Sequence, residues 1–146
     1  MINIVNKQNP MPEQAPDVRN KNFLEVCTGY SEQQAISEAM RCFRCRKKPC
    51  VSGCPVNIKI PDFIAKVAEG DFEAAYEIIS QDSSLPAVCG RVCPQENQCQ
   101  GNCVQCSKGE PVAIGRLERF VADWHSANFG DEEIKPVAEG GHKVAI

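Results

Sequence analysis

The chain has 146 residues and a formal net charge of −3. That length suits one domain, and an acidic balance gives no electrostatic footprint for nucleic acid. Its 10 cysteines are the outlying feature, while aromatic residues make up only 6 %. An apolar core built from this chain alone would be thin for its length.

The N-terminal residues MINIVNKQNPMPEQAP carry no basic region followed by an apolar one, so no signal peptide is visible. No apolar run approaches the roughly 18 residues of a membrane span. The expected setting is the cytoplasm, where clustered cysteines point to metal rather than to disulfides. Pro10, Pro12 and Pro16 disfavour helix, and residues 1–21 are expected to be an extended or disordered arm.

Ser31 and Gln34 fit a capping box, and Ala35, Ile36, Ala39, Met40 and Phe43 recur near helical spacing. A helix over about 32–40 would deliver the chain into the first cysteine stretch, RCFRCRKKPCVSGCP. Pro61 suits a first helical turn, and Phe63, Ile64, Val67 and Ala68 make one apolar face. Gly70 fits a helix stop and Asp71 a new cap, before a helix over about 72–79 that buries Phe72, Ala75, Ile78 and Ile79. This hairpin leads to the second cysteine stretch, CGRVCPQENQCQGNCVQC. Pro111 then opens a helix over about 112–127, with Ile114, Leu117, Val121 and Trp124 as its apolar stripe. Residues 129–146 read as a linker and the start of a strand, and the terminal apolar run suggests a piece of a longer protein.

Cys42, Cys45, Cys50 and Cys54 follow the pattern C-x2-C-x4-C-x3-C-P, two residues longer than the bacterial ferredoxin run. Closely spaced cysteines on a tight loop can turn their thiolates to one iron–sulfur cubane, while the one before proline is aimed away, commonly toward a second cluster. Two [4Fe–4S] clusters need about eight ligands, so the 10 cysteines leave some spare. Zinc bound by paired CxxC motifs such as Cys42/Cys45 and Cys103/Cys106 is an alternative. Disulfides and CxxC thiol redox chemistry are others, the latter without the βαβ context it normally needs. The cations Arg41, Arg44, Arg46, Lys47 and Lys48 would raise the potential of an anionic cluster beside them, or form a solvated loop. Glu118 borders the apolar stripe of the last helix. A carboxylate there needs a partner, either an iron or an arginine such as Arg116 or Arg119 at the surface. His125 is a rival ligand, with a cap or surface role as the plainer reading.

The segments CFRCRKKPCVSGCPVNIKIPDFI, CGRVCPQENQCQGNC and EPVAIGRLERFVAD resemble the N-terminal domain of the glutamate synthase small (beta) subunit family. They are also similar to the N-terminal part of dihydropyrimidine dehydrogenase and to the large subunit of NAD(P)H-dependent ferredoxin oxidoreductases. The resemblance implies an all-α, helical ferredoxin-like domain over 22–128 around two [4Fe–4S] clusters. It implies one cluster on Cys42, Cys45, Cys50 and Cys103, and the second on Cys54, Cys93, Cys99 and Glu118. Cys27, Cys89 and Cys106 would be non-ligand thiols. In such families FAD- and NAD(P)H-binding modules follow, but no G-x-G-x-x-G occurs in this chain, and Lys143–Ile146 sits where the first strand of one would begin. The implied role is electron relay from NADPH and FAD to a large redox partner subunit that makes glutamate, or to the acceptor of a related oxidoreductase. No nucleic-acid or membrane partner is expected.

Overall fold

The computed structural model describes residues 6–130. Beyond Gly130, the expected linker and strand lie outside the described residues. Among these residues the chain is helical and forms no strand; Glu13 and Cys27 make an isolated antiparallel bridge.

Helices α1 (Pro16–Arg19), α2 (Glu32–Ala39) and α3 (Pro49–Ser52) precede the hairpin of α4 (Ile60–Glu69) and α5 (Phe72–Ser80). Helix α6 (Pro86–Val92) and the long α7 (Ile114–Phe129) follow, with 3₁₀ turns at Gln95–Asn97 and Val104–Ser107 between them. Local chemistry sets several ends. Ser31 accepts the Gln34 backbone N–H at 3.3 Å, and the Gln34 side chain accepts the Ser31 N–H at 2.9 Å, closing a capping box. Pro61 lies in the first turn of α4, and Gly70 ends that helix with φ 80°, a left-handed value that costs glycine little. Asp71 then caps α5 by accepting the Ala74 N–H at 3.2 Å.

Helix α7 is the axis of the fold and packs against α2, α4, α5 and α6. It buries Ile114, Leu117, Phe120 and Val121 against Phe63, Ile64 and Val67 of α4 and Phe72, Ala75 and Ile79 of α5. The Phe72 ring meets Phe120 edge-on at 5.0 Å and Trp124 at 5.4 Å. Gly90 lets α6 lie directly on α7, because a Cβ there would stand 2.6 Å from the Arg119 backbone nitrogen.

The N-terminal arm is extended from residue 6 and firmly bonded. Gln14 donates to Val26 O at 2.9 Å, and Thr28 donates to Pro12 O at 2.8 Å. Pro16, expected to oppose helix, instead opens α1, where its missing N–H would have had no partner. The arm ends up tied to the two main helices through Glu38. One Glu38 oxygen accepts the Asn9 backbone N–H at 2.7 Å, and the other accepts the Ala113 N–H at 2.9 Å at the start of α7. Arg41 completes this buried junction. It pairs with Glu38 and donates to Pro111 O at 3.0 Å and Glu110 O at 2.7 Å. Arg41 is 1 % exposed. Grouping it with the basic loop was therefore mistaken: a buried carboxylate and two carbonyls hold its charge inside.

Candidate metal centre

The cysteine stretches lie against the apolar core, and each thiol's position follows from the element that delivers it. Cys42 leaves the end of α2, Cys45 sits in the loop beyond, Cys50 is in α3, and Cys103 precedes the 3₁₀ turn Val104–Ser107. These four line one small cavity, walled by apolar side chains that include Ile60, Ile64 and Val112. Burial pushes the Cys42 thiol up, against a backbone N–H from Arg44 that favours the thiolate; charge on Cys103 or Cys45 would push it further. Cys50 is pushed up to about 11, first by burial and then by Cys42 and Cys103. For Cys42 and Cys50, burial and the neighbouring thiols thus both disfavour the thiolate.

The second nest gathers Cys54 after α3, Cys93 after α6, Cys99 between the 3₁₀ turns, and Glu118 on α7. Burial drives Cys99 up to about 12, helped by Cys54 and Glu118. Cys93 is pushed up to about 11 by burial, then by Cys89, Glu118 and Cys54. Burial alone raises the Glu118 carboxyl to about 7. Glu118 is 7 % exposed, and its Oε1 finds no hydrogen-bond partner among the described residues. The arginines considered as its partners are engaged elsewhere. Arg116 donates to Asn9 O at 3.1 Å. Arg119 donates to Cys27 O at 2.8 Å, pairs with Glu25 and Asp123, and is buried rather than at the surface.

The two stretches touch at Gly53. A Cβ on Gly53 would stand 2.8 Å from Gln98 O and 2.6 Å from Asn102 Nδ2. Next to this contact Cys54 turns into one nest and Cys103 into the other.

The remaining candidates lie apart. His125 Nδ1 stands 2.9 Å from Glu73 Oε2, and its ring stacks on Tyr76 at 3.6 Å. Cys27 Sγ lies 4.0 Å from Glu13 Oε1, and the exposed Cys106 donates to Gln100 O at 3.3 Å. Cys89, set aside as a spare thiol, lies beside Cys93 at the edge of the second nest. The spacing of four residues between Cys89 on α6 and Cys93 at the end of that helix was the available signal. All ten cysteines are free thiols. Among the described residues, no group of three His, Cys, Asp or Glu is placed to hold a single metal ion.

These donors fit an iron–sulfur cofactor. Partly buried thiols and a buried carboxylate with an unpaired oxygen lack a source of positive charge, and iron ions supply one, since a coordinating thiol is deprotonated outright. Residues 19–129 match the family described as dihydropyrimidine dehydrogenase domain II, 4Fe-4S cluster. The chain belongs to this family. It is 36 % identical to the glutamate synthase [NADPH] small chain of Azospirillum brasilense over 84 % of its own length and 26 % of that protein's. It is 40 % identical to the putative oxidoreductase UacF of Escherichia coli over 88 % of its length and 20 % of UacF. The NAD-dependent dihydropyrimidine dehydrogenase subunit PreT of Escherichia coli is 38 % identical over 86 % of the chain and 31 % of PreT. The chain thus spans less than a third of each of these oxidoreductases. Among the described residues no helix is long and apolar enough to cross a membrane.

Proposed function

We propose that the chain is the two-cluster electron-transfer domain of an NAD(P)H-dependent flavin iron–sulfur oxidoreductase of the glutamate synthase small-subunit type. Cys42, Cys45, Cys50 and Cys103 would hold one [4Fe–4S] cluster, and Cys54, Cys93, Cys99 and Glu118 the other. When bound, the clusters supply one-electron chemistry between a flavin and a partner subunit. The chain's own residues do the rest. The thiols and Glu118 hold the irons, the Arg44 backbone N–H is directed at Cys42, and the apolar wall around the first nest limits water. In this reading residues 1–21 are the arm, 22–128 the cluster domain, and 129–146 the linker and first strand of a FAD- and NAD(P)H-binding module in the same cytoplasmic polypeptide. NADPH is the proposed donor, and a large subunit that forms glutamate is the proposed partner.

The observation that carries this reading is the buried, unpartnered oxygen of Glu118 facing the electrostatic reach of Cys93 and Cys99. The first test is iron and acid-labile sulfide analysis of anaerobically purified protein. About eight of each per chain are expected for two cubanes. One or two zinc ions without sulfide would establish a zinc-stabilised interaction domain instead. Glu118→Ala should alter the EPR signal of one cluster and spare the other; unchanged spectra would remove Glu118 from the ligand set.

A second reading, a pyrimidine-reducing oxidoreductase, is supported by the PreT identity, which equals that of the glutamate synthase chains within a few per cent. Assays of the full-length protein with each type of partner subunit, for glutamate formation or pyrimidine reduction, separate the two.

A further inference from the structure

The loop between Cys45 and Cys50 is two residues longer than in the bacterial ferredoxin run, and what fills it is Arg46, Lys47, Lys48 and Pro49. Arg44, Arg46, Lys47 and Lys48 are all exposed. The side chains of Arg44, Arg46 and Lys47 form no hydrogen bond and no ion pair among the described residues, while Lys48 pairs with Asp62 at 3.0 Å. These cations stand out on a chain whose net charge is −3.

The loop is also held in an uncommon shape. Arg44 and Lys48 have φ of 49° and 43°, left-handed values that non-glycine residues rarely adopt and that collect at functional sites. The left-handed turn at Arg44 brings its backbone N–H toward the Cys42 sulfur while its side chain faces solvent. Apolar surface lies alongside. Phe43 and Val104 line the cavity of the first thiol nest, and Val104 is 41 % exposed. Lys108 sits 5.2 Å over the Phe43 ring and adds a fifth cation. An apolar patch rimmed by cations over a redox centre has the anatomy of a transient docking surface, in which charge sets encounter rate and orientation.

We propose that the cationic loop over residues 43–48, with Val104 and Lys108, docks an acidic protein surface and places an electron-exchange partner over the first thiol nest. This rests on the reading of that nest as a cluster site. The electron lost by the reduced site is gained by a one-electron centre on the partner.

The test uses cluster-loaded, full-length protein with an acidic blue-copper protein as probe and basic cytochrome c as its opposite. Binding is measured by calorimetry with the redox-inert, zinc-substituted blue-copper protein. Reduction of the Cu(II) form is followed by stopped flow after the clusters are reduced. Arg46→Glu should weaken binding and slow Cu(II) reduction about tenfold at low ionic strength, with the difference closing at high salt, while cytochrome c reduction speeds up. Lys21→Glu makes the same change in net charge outside the loop and should shift either quantity less than about twofold. Equal effects from Arg46→Glu and Lys21→Glu, or salt dependence unchanged by Arg46→Glu, would overturn the docking patch. Iron and sulfide contents are measured on every sample, so failure to load clusters counts against the cluster reading, and failure of the salt response in loaded protein counts against the patch.

Discussion

Glu38 Oε1 accepts the backbone N–H of Ala113 at 2.9 Å, so a carboxylate from the end of α2 caps the entry to α7. The same side chain neutralises Arg41 and holds the arm at Asn9. Removing it takes the Glu38 carboxylate away from the buried Arg41 guanidinium. Glu38→Ala should destabilise the fold by about 3–5 kcal/mol, read from the denaturant midpoint at constant slope. Glu38→Gln, which keeps an acceptor for Ala113, should cost less.

The contact at Gly53 is rigid on one side, because Gln98 meets it with a backbone carbonyl 2.8 Å from where a Cβ would lie. Gly53→Ala should push the two cysteine stretches apart and lower iron occupancy at both sites, measured as iron and sulfide per chain. Gly70→Ala provides the contrast. Its φ is 80°, but a Cβ there meets nothing within 4 Å. It should cost about 1 kcal/mol of backbone strain and leave iron content unchanged.

Gly90 is a different kind of close approach, between helix and helix. A Cβ there would meet Arg119 N at 2.6 Å and Arg119 Cα at 2.8 Å. Gly90→Ala should move α6 away from α7, displacing Cys93 from Glu118 and leaving Cys42, Cys45, Cys50 and Cys103 in place. EPR should therefore show one perturbed cluster signal and one preserved.

Glu25 links the segment after the arm to Arg91 at 2.8 Å and Arg119 at 3.2 Å. The Arg91 hydrogen bond holds its carboxyl below the ordinary value of 4.5. A depressed carboxyl contributes stability above its unfolded-state pKa and loses it as pH falls through the folded one. The stability difference between the protein and its Glu25→Gln variant should therefore be present at neutral pH and shrink as the solution is taken below about pH 4. Thermal unfolding across that range measures it. The effect should be small, because Glu25 is half-exposed.

Much of the helical framework was legible because its signals are local. The capping box at Ser31, Pro61 in a first turn, and the Gly70–Asp71 stop and restart each act within four residues. Helix α6 was not legible for a reason of the same kind. Its N-cap, Leu85, offers no side-chain acceptor, and Leu85, Val88 and Val92 are exposed, so the apolar spacing that marks a core face points to solvent here. Arg41 was misjudged because it adjoins four exposed cations, and nothing in the neighbouring residues marks Glu38 as buried. Glu118 could be placed at the border of an apolar stripe, but its isolation from Arg116 and Arg119 depends on where the arm and Asp123 draw those side chains. That arrangement exists only in three dimensions.

The contact at Gly53 also bears on how the domain could be divided. In chain order the nests are interleaved: three thiols of the first, one of the second, two more of the second, then the last of the first. A cut anywhere between residues 55 and 92 yields an N-terminal piece with Cys42, Cys45, Cys50 and Cys54, which completes neither nest, and a C-terminal piece in the same position. Deletion of either cysteine stretch would therefore leave both nests incomplete, so neither can be kept alone by shortening the chain.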